Sequence, residues 1–259
     1  MRAPDDQSPA PADVVAAAAD LILQYRDRYD LARDPRAVFA FVYERLTRQL
    51  AEALREPGAF DDPAWIGELA DEFVHRYAAA MDAIDDGSGA APKPWLDVCR
   101  AMQSGRSYVL EDLIFSMMAH ITYDLPNALV AIGLERAGGS RISDYHTMNA
   151  VLATKTDEMQ LLAADRYQRF LAVLDHLAGN YDEFFTNYGI RLARSVAWYN
   201  ARRLEDPASK DEAAGSITRS TGAFIDFVRN PDPWWVRYLL RLARVLIPRR
   251  RSWPKGPRE

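Results

Sequence analysis

The chain has a single cysteine, Cys99, so it can form no intramolecular disulfide and no Cys-rich zinc or iron–sulfur site, a pattern that suits a reducing compartment. A lone thiol of this kind is expected as buried filler. No apolar run approaches the roughly 18–20 residues that a transmembrane helix needs. Positive charge is not in excess: 32 Lys and Arg stand against 37 Asp and Glu, for a net charge of −5, the opposite of a nucleic-acid binder. Gly-x-x-x-x-Gly-Lys-Ser/Thr, a post-strand Gly-x-Gly-x-x-Gly, Gly-x-Ser-x-Gly and His-Glu-x-x-His are all missing, which removes the main support for nucleotide-dependent, serine-hydrolase and zincin chemistry. The N-terminus is acidic and Pro-rich where a secretory signal would need a basic start and an apolar run. Residues 1–11 are therefore expected as a disordered tail and the protein as cytoplasmic.

What the chain does have is helix signal from end to end. With 49% hydrophobic residues in 259 it can bury a sizeable core, and one domain over 12–247 suffices. Apolar residues recur at intervals of three and four from Ala12 to Tyr29, from Asp34-Pro35 to Leu54 and from Asp62-Pro63 to Asp85. Each Asp-Pro pairs an N-cap with a proline at the first helical position. A Gly/Pro-rich loop at 87–94 follows, read as internal to the domain. Further helices are expected over Trp95–Met102, Val109–Leu134, Asp144–Leu177, 181–205, 210–229 and Trp234–Ile247. The sum is an all-α, single-domain, orthogonal or up-down bundle of about nine helices.

In the 109–134 helix, Leu113, Met117, Ile121 and Leu125 form an apolar stripe that also contains His120 and Asp124. Four residues apart, these two face inward within reach of each other. An inward His–Asp pair can serve as a general acid/base unit, as two ligands of a divalent metal, or as a structural brace. Pro126 cannot donate to the Thr122 carbonyl, so a kink or break is expected one turn after His120. Asp112 and Ser116 lie on the same helix and extend a polar strip toward the pair; Tyr123 is a neighbour that can orient substrate. Asp144 and His146 open the next helix, expected to run antiparallel to the first, with Asn149 on the face of His146. His75 and His176 read as surface or packing residues. Arg191, Arg194 and Trp198 follow at helical spacing; an inward Arg194 would clamp an anionic group, and the alternative is surface salt bridging.

The His-x-x-x-Asp spacing resembles part of the zinc-site motif of helical phospholipase C and related nucleases. There a Gln-Pro-Leu-His follows the aspartate, whereas Leu125-Pro126-Asn127-Ala128 stands here, and the chain has only four histidines. No cofactor is favoured. A divalent metal, if held, would use His120, Asp124, Asp144 and His146. From Trp234 to Arg258 the chain carries eight basic residues and no acidic one. This end either contacts an anionic membrane surface or packs as a terminal helix with a basic tail over 248–259.

The segment Trp95–Leu129, with Met118-Ala119-His120-Ile121 and Asp124-Leu125-Pro126-Asn127-Ala128-Leu129, resembles a bacterial domain-of-unknown-function family marked by Met-x-Ala-His-Ile-x-x-Asp-Leu-Pro. Asn149 and Arg191–Trp198 resemble its later motifs, and the resemblance covers about residues 30–205. It implies an all-helical domain and no particular reaction.

The leading expectation is a small-molecule enzyme, of the kind used in secondary metabolism, working by isomerase, cyclase or hydrolase acid/base chemistry on a largely apolar metabolite. His120 and Asp124 would be catalytic, and Tyr123, Asn149, Asp112 and Arg194 would bind substrate. The alternatives are a non-catalytic helical binding or scaffold protein and a metal-dependent hydrolase.

Overall fold

A computed structural model of the chain describes residues 9–136, 139–167 and 187–230, together with Tyr238 and Trp253. Its helices are α1 (Pro11–Ala32), α2 (Ala37–Ala53), α3 (Pro63–Asp85), α4 (Lys93–Gln103), α5 (Val109–Ala119), α6 (Leu125–Ile132), α7 (Ile142–Ala153), α8 (Thr156–Tyr167), α9 (Asn187–Glu205) and α10 (Lys210–Arg229). A π-helical turn, His120–Asp124, joins α5 to α6. Counting that interrupted helix once leaves nine among the described residues, and the fold is an all-α bundle. Among the described residues no helix is long and apolar enough to cross a membrane. The expected helix over 234–247, nearly all of the basic 234–258 end, His176 and most of the N-terminal tail lie outside the described residues.

Local chemistry sets the boundaries. Asp62 caps α3 by accepting from the Trp65 N–H at 3.1 Å, as the Asp-Pro signal predicts. The other Asp-Pro behaves differently: Asp34 accepts from the Arg36 N–H at 2.9 Å, and α2 begins only at Ala37. The Arg36 side chain, bound to Asp34 at 2.7 Å and Asp85 at 2.6 Å, draws this turn onto the end of α3. Gly133, with φ of 81°, stops α6 in a conformation that favours glycine. The chain then makes a two-residue antiparallel pairing, Glu135 with Ser140 and Arg136 with Gly139, a small strand element that the sequence reading lacked. The single helix expected from Asp144 onward is broken at residues 154–155. There the Val151 carbonyl, near the end of α7, accepts from Gln49 Nε2 at 2.7 Å and Thr154 Oγ1 at 2.8 Å.

Two hydrophobic clusters make the core. One gathers Tyr25, Phe39, Tyr77, Trp95, Phe115 and Tyr167; the other gathers Trp65, Ile66, Leu125, Leu129, Tyr145 and Trp198. Both contain residues from before and after the 87–94 loop, so the front three helices share their core with the rest. The first half of α2 is set in the core, with every residue from Ala37 to Glu44 buried, and its polar face is confined to the second half, at Arg45, Arg48, Gln49 and Glu52. Leu46 and Phe73 pack against both clusters, and the cavity described next opens at this seam. Cys99 is buried and burial raises its thiol to about 11, so it behaves as inert core filler.

Candidate functional site

Pro126 has no N–H to offer the Thr122 carbonyl, and the helix absorbs the defect by widening. The Leu125 N–H reaches back to the His120 carbonyl in an i→i+5 bond, and the chain continues into α6 without stopping. Single π turns of this kind are concentrated at functional sites. In the wider turn Asp124 stacks over His120, and His120 Nδ1 donates to Asp124 Oδ2 at 2.8 Å. The same oxygen accepts from Trp95 Nε1, also at 2.8 Å. Both members of the pair are almost fully buried, His120 at 3% and Asp124 at 2% exposure.

Two donors on one carboxylate oxygen determine the tautomer. The proton is on Nδ1, where the acceptor is, so Nε2 carries the lone pair. Nε2 is buried with no hydrogen-bond partner among the described residues. Aromatic rings surround the imidazole: Phe73 stacks on it with centroids 3.5 Å apart and planes 6° apart, and Tyr43 meets it edge-on at 4.5 Å. Phe39, Tyr77 and Trp95 complete the cage at 5.5, 6.0 and 6.1 Å. Burial holds His120 below its ordinary value, with Asp124 pulling upward and Arg194 adding to the depression. A buried neutral imidazole favours the fold only while it stays neutral. That stability is present above the unfolded-state value of about 6.5 and is lost as pH falls through the lower folded-state value.

His120 lines a cavity walled mainly by Phe39, Tyr43, Leu46, Phe73 and Met148, with Arg194 at its edge. Apolar pockets with a few convergent polar groups are the usual form of a small-molecule site. The Tyr43 hydroxyl is a second buried polar atom without a partner among the described residues. Burial and then the Asp124 charge raise Tyr43 well above its normal value, opposed by Arg194, so it is a phenol and a donor. Neither Tyr43 nor Trp95 can be singled out from sequence, because each reads as one more aromatic core position on a different helix.

The remaining expected residues divide between the cavity and other tasks. Arg194 is brought to the cavity and Asn149 stands directly behind it, accepting from Arg194 Nη1 at 2.9 Å. Asp112 is not brought there: eight residues before His120, it is rotated by about 80° around an α-helix and accepts from Ser107. The Ser116 hydroxyl bonds the Asp112 carbonyl at 2.9 Å, so the expected polar strip is internal to α5. Tyr123 is swung to the other side of the π turn, half-buried against the cluster of Leu204, Ala213 and Ile217. His75 is exposed on α3.

The four residues considered for a metal do not gather. His146 faces solvent. Asp144 accepts from the Asp61 and Asp62 N–H groups, both at 2.7 Å, and so ties α7 to the start of α3. Among the described residues no three His, Cys, Asp or Glu side chains are grouped to hold a metal ion. Replacing Asp144 with alanine is accordingly expected to lower stability by about 2–4 kcal/mol, because two charge-assisted hydrogen bonds are lost. Chemical denaturation checks this, and a stability change below about 1 kcal/mol would refute the clamp.

Residues 15–231 match the model of a family of unknown function, DUF5995. No curated protein and no solved structure matches the chain. The match is wider than the segment over which the sequence motifs resemble their family, and it takes in every residue of the cavity.

Proposed function

From the premise that the chain belongs to the DUF5995 family, which brings no reaction with it, we propose that the protein is a cytoplasmic enzyme of small-molecule, secondary-type metabolism. It performs acid/base chemistry on a largely apolar metabolite held in the cavity. The single observation that carries this reading is the buried, unpartnered Nε2 of His120, on an imidazole whose other nitrogen is bound to Asp124 at 2.8 Å.

A protein that needed this histidine only as a brace would gain by satisfying or replacing Nε2, since an orphaned buried acceptor costs about 1–3 kcal/mol. Kept free and facing a cavity wall of rings, the lone pair is a general base awaiting a proton on substrate. Asp124 then stabilises the imidazolium as it forms, and the Trp95 bond to the same oxygen keeps the carboxylate from turning away. Tyr43, held as a phenol beside the imidazole, supplies a hydrogen bond to an oxygen that gains charge in the same step. Proton removal beside a carbonyl, with isomerisation or ring closure following, is the reaction type best suited to one base and one neutral donor in an apolar site. All of these groups are protein side chains.

The test is substrate depletion. Wild-type protein and the His120→Asn variant are each incubated with a small-molecule extract and the mixtures compared by mass spectrometry. A compound consumed by the wild type and untouched by the variant supports the reading. A compound consumed equally by both proteins would refute His120 as the base, and no compound consumed by either would favour a non-catalytic binding or scaffold role. With the substrate in hand, kcat/KM should fall on the acid side through a single ionisation below about 6.5, because burial lowers the His120 value and only the neutral imidazole is a base. An acid limb with its midpoint at or above about 6.5 would contradict this assignment, because burial moves the value downward.

A further inference from the structure

Arg194 is 9% exposed, buried like the core around it. Of the five N–H groups on a guanidinium, the protein engages Nη1, which donates to the neutral amide of Asn149 at 2.9 Å. Nε is buried with no partner among the described residues. No carboxylate among the described residues pairs with it, whereas other partly buried arginines are matched: Arg36 with Asp34 and Asp85 at 2.7 and 2.6 Å, and Arg166 with Asp30 at 2.7 Å.

Arginine cannot shed its proton, so the cost of removing that charge from water stays until an anion joins it. The side chain is also held in place. Asn149 is buried behind it, and the Tyr145 hydroxyl donates to the Arg194 carbonyl at 2.7 Å. Tyr145 in turn packs on Trp198, one turn further along α9, at 4.9 Å between ring centroids. A rigid, desolvated, unmatched guanidinium at the edge of an apolar cavity is a binding site for a planar anion.

We propose that Arg194 receives the carboxylate of an amphipathic ligand whose apolar body fills the cavity between α2, α3 and α7. The ligand class is a monoanionic carboxylic acid with an alkyl or aryl body. A phosphate ester calls for more positive charge than this cavity holds, because Arg194 is the only Lys or Arg on its wall among the described residues. The assignment rests on the cavity being the substrate site, as argued above, and it names the substrate's polar end. With the carboxylate anchored at Arg194, the body of the ligand extends over Tyr43 toward His120, which places the reacting carbon away from the acid group.

The experiment is calorimetric titration of the full chain with hexanoate, decanoate and 3-phenylpropanoate, each against its corresponding primary alcohol, and with decyl phosphate. At least one acid should bind at least tenfold more tightly than its alcohol, and Arg194→Met should bring that ratio below tenfold. A wild-type ratio below tenfold for every pair, no binding of any acid, a ratio unchanged in Arg194→Met, or decyl phosphate binding more tightly than decanoate would each overturn the proposal. Should Arg194→Met fail to fold, Arg194→Lys replaces it. Loss of the planar fork should weaken the best acid at least threefold there, and an unchanged affinity would refute the assignment.

His120→Asn separates this inference from the catalytic reading. It should bind the best acid within threefold of wild type while its turnover falls by about 10²–10⁴-fold. Acid preference with undiminished turnover in His120→Asn would sink the base and keep the anion site. Lost turnover without acid preference would do the reverse.

Discussion

Replacing His120 with asparagine is expected to reduce turnover by about 10²–10⁴-fold, the usual worth of a positioned general base, while lowering stability by only about 1 kcal/mol for the space left behind. The asymmetry between the two effects comes from the geometry of the ring. Asparagine places its amide nitrogen near the position of Nδ1, so the bond to Asp124, 2.8 Å in the native protein, can be kept. What disappears is Nε2, the atom with no partner among the described residues. If His120 were a brace, the variant would lose little of anything. If it is the base, activity falls and the fold stays.

Comparing the two proteins across pH adds an independent readout. His120 is held below its ordinary value by burial, so the wild type should lose stability relative to His120→Asn as pH falls from 7 to 5. Melting temperatures of both proteins over that range check the sign. A difference that widens toward acid in favour of the wild type would contradict the burial argument.

The largest stability effect is expected at Asp124. Alanine there orphans two buried donors at once, His120 Nδ1 and Trp95 Nε1, each bound to Oδ2 at 2.8 Å. At about 1–3 kcal/mol for each unsatisfied group, Asp124→Ala should cost about 2–6 kcal/mol. Trp95→Phe removes one of the donors, so the double variant should be less destabilised than the sum of the singles. A double-mutant cycle by urea unfolding measures that coupling. Additive effects would mean that the two residues do not share the oxygen. Asp124→Asn is the milder companion: it keeps an acceptor for one donor but loses the charge that stabilises an imidazolium, so it should retain more stability than alanine and little of the activity.

Much of this was readable in the chain, and the reasons differ from residue to residue. The inward pairing of His120 with Asp124 follows from local spacing alone, because residues four apart on a helix are neighbours whatever surrounds them. The defect before Pro126 is equally local, since a missing N–H has only one expected partner. Its form was not legible. A kink, a break and a widened turn all answer the same missing bond, and the packing of Trp95 against Asp124 from a different helix goes with the π turn. Tyr123 illustrates the consequence: adjacent in sequence to Asp124, it lies on the far side of the turn and meets the Leu204 cluster.

Asp144 and Arg194 were both legible as polar residues on helices and ambiguous in role. The first clamps two backbone N–H groups of the α2–α3 connection; the second is buried without a counter-ion among the described residues. Nothing within four residues of either distinguishes these fates. The elements they meet are about 80 residues away for Asp144, and for Arg194 they are α2, α3 and α7 around the cavity.

By itself the sequence determined the fold class and the inward histidine, because helix periodicity, caps and i, i+4 pairing are short-range properties of the backbone. Tertiary structure alone decided that Nε2 of His120 would be buried without a partner among the described residues, in a cage of rings, that Tyr43 would stand beside it, and that no carboxylate among the described residues would pair with Arg194. Burial, counter-charge and the presence of a cavity are properties of how distant segments meet at a seam between two hydrophobic clusters, and no local pattern encodes what will be absent on the other side.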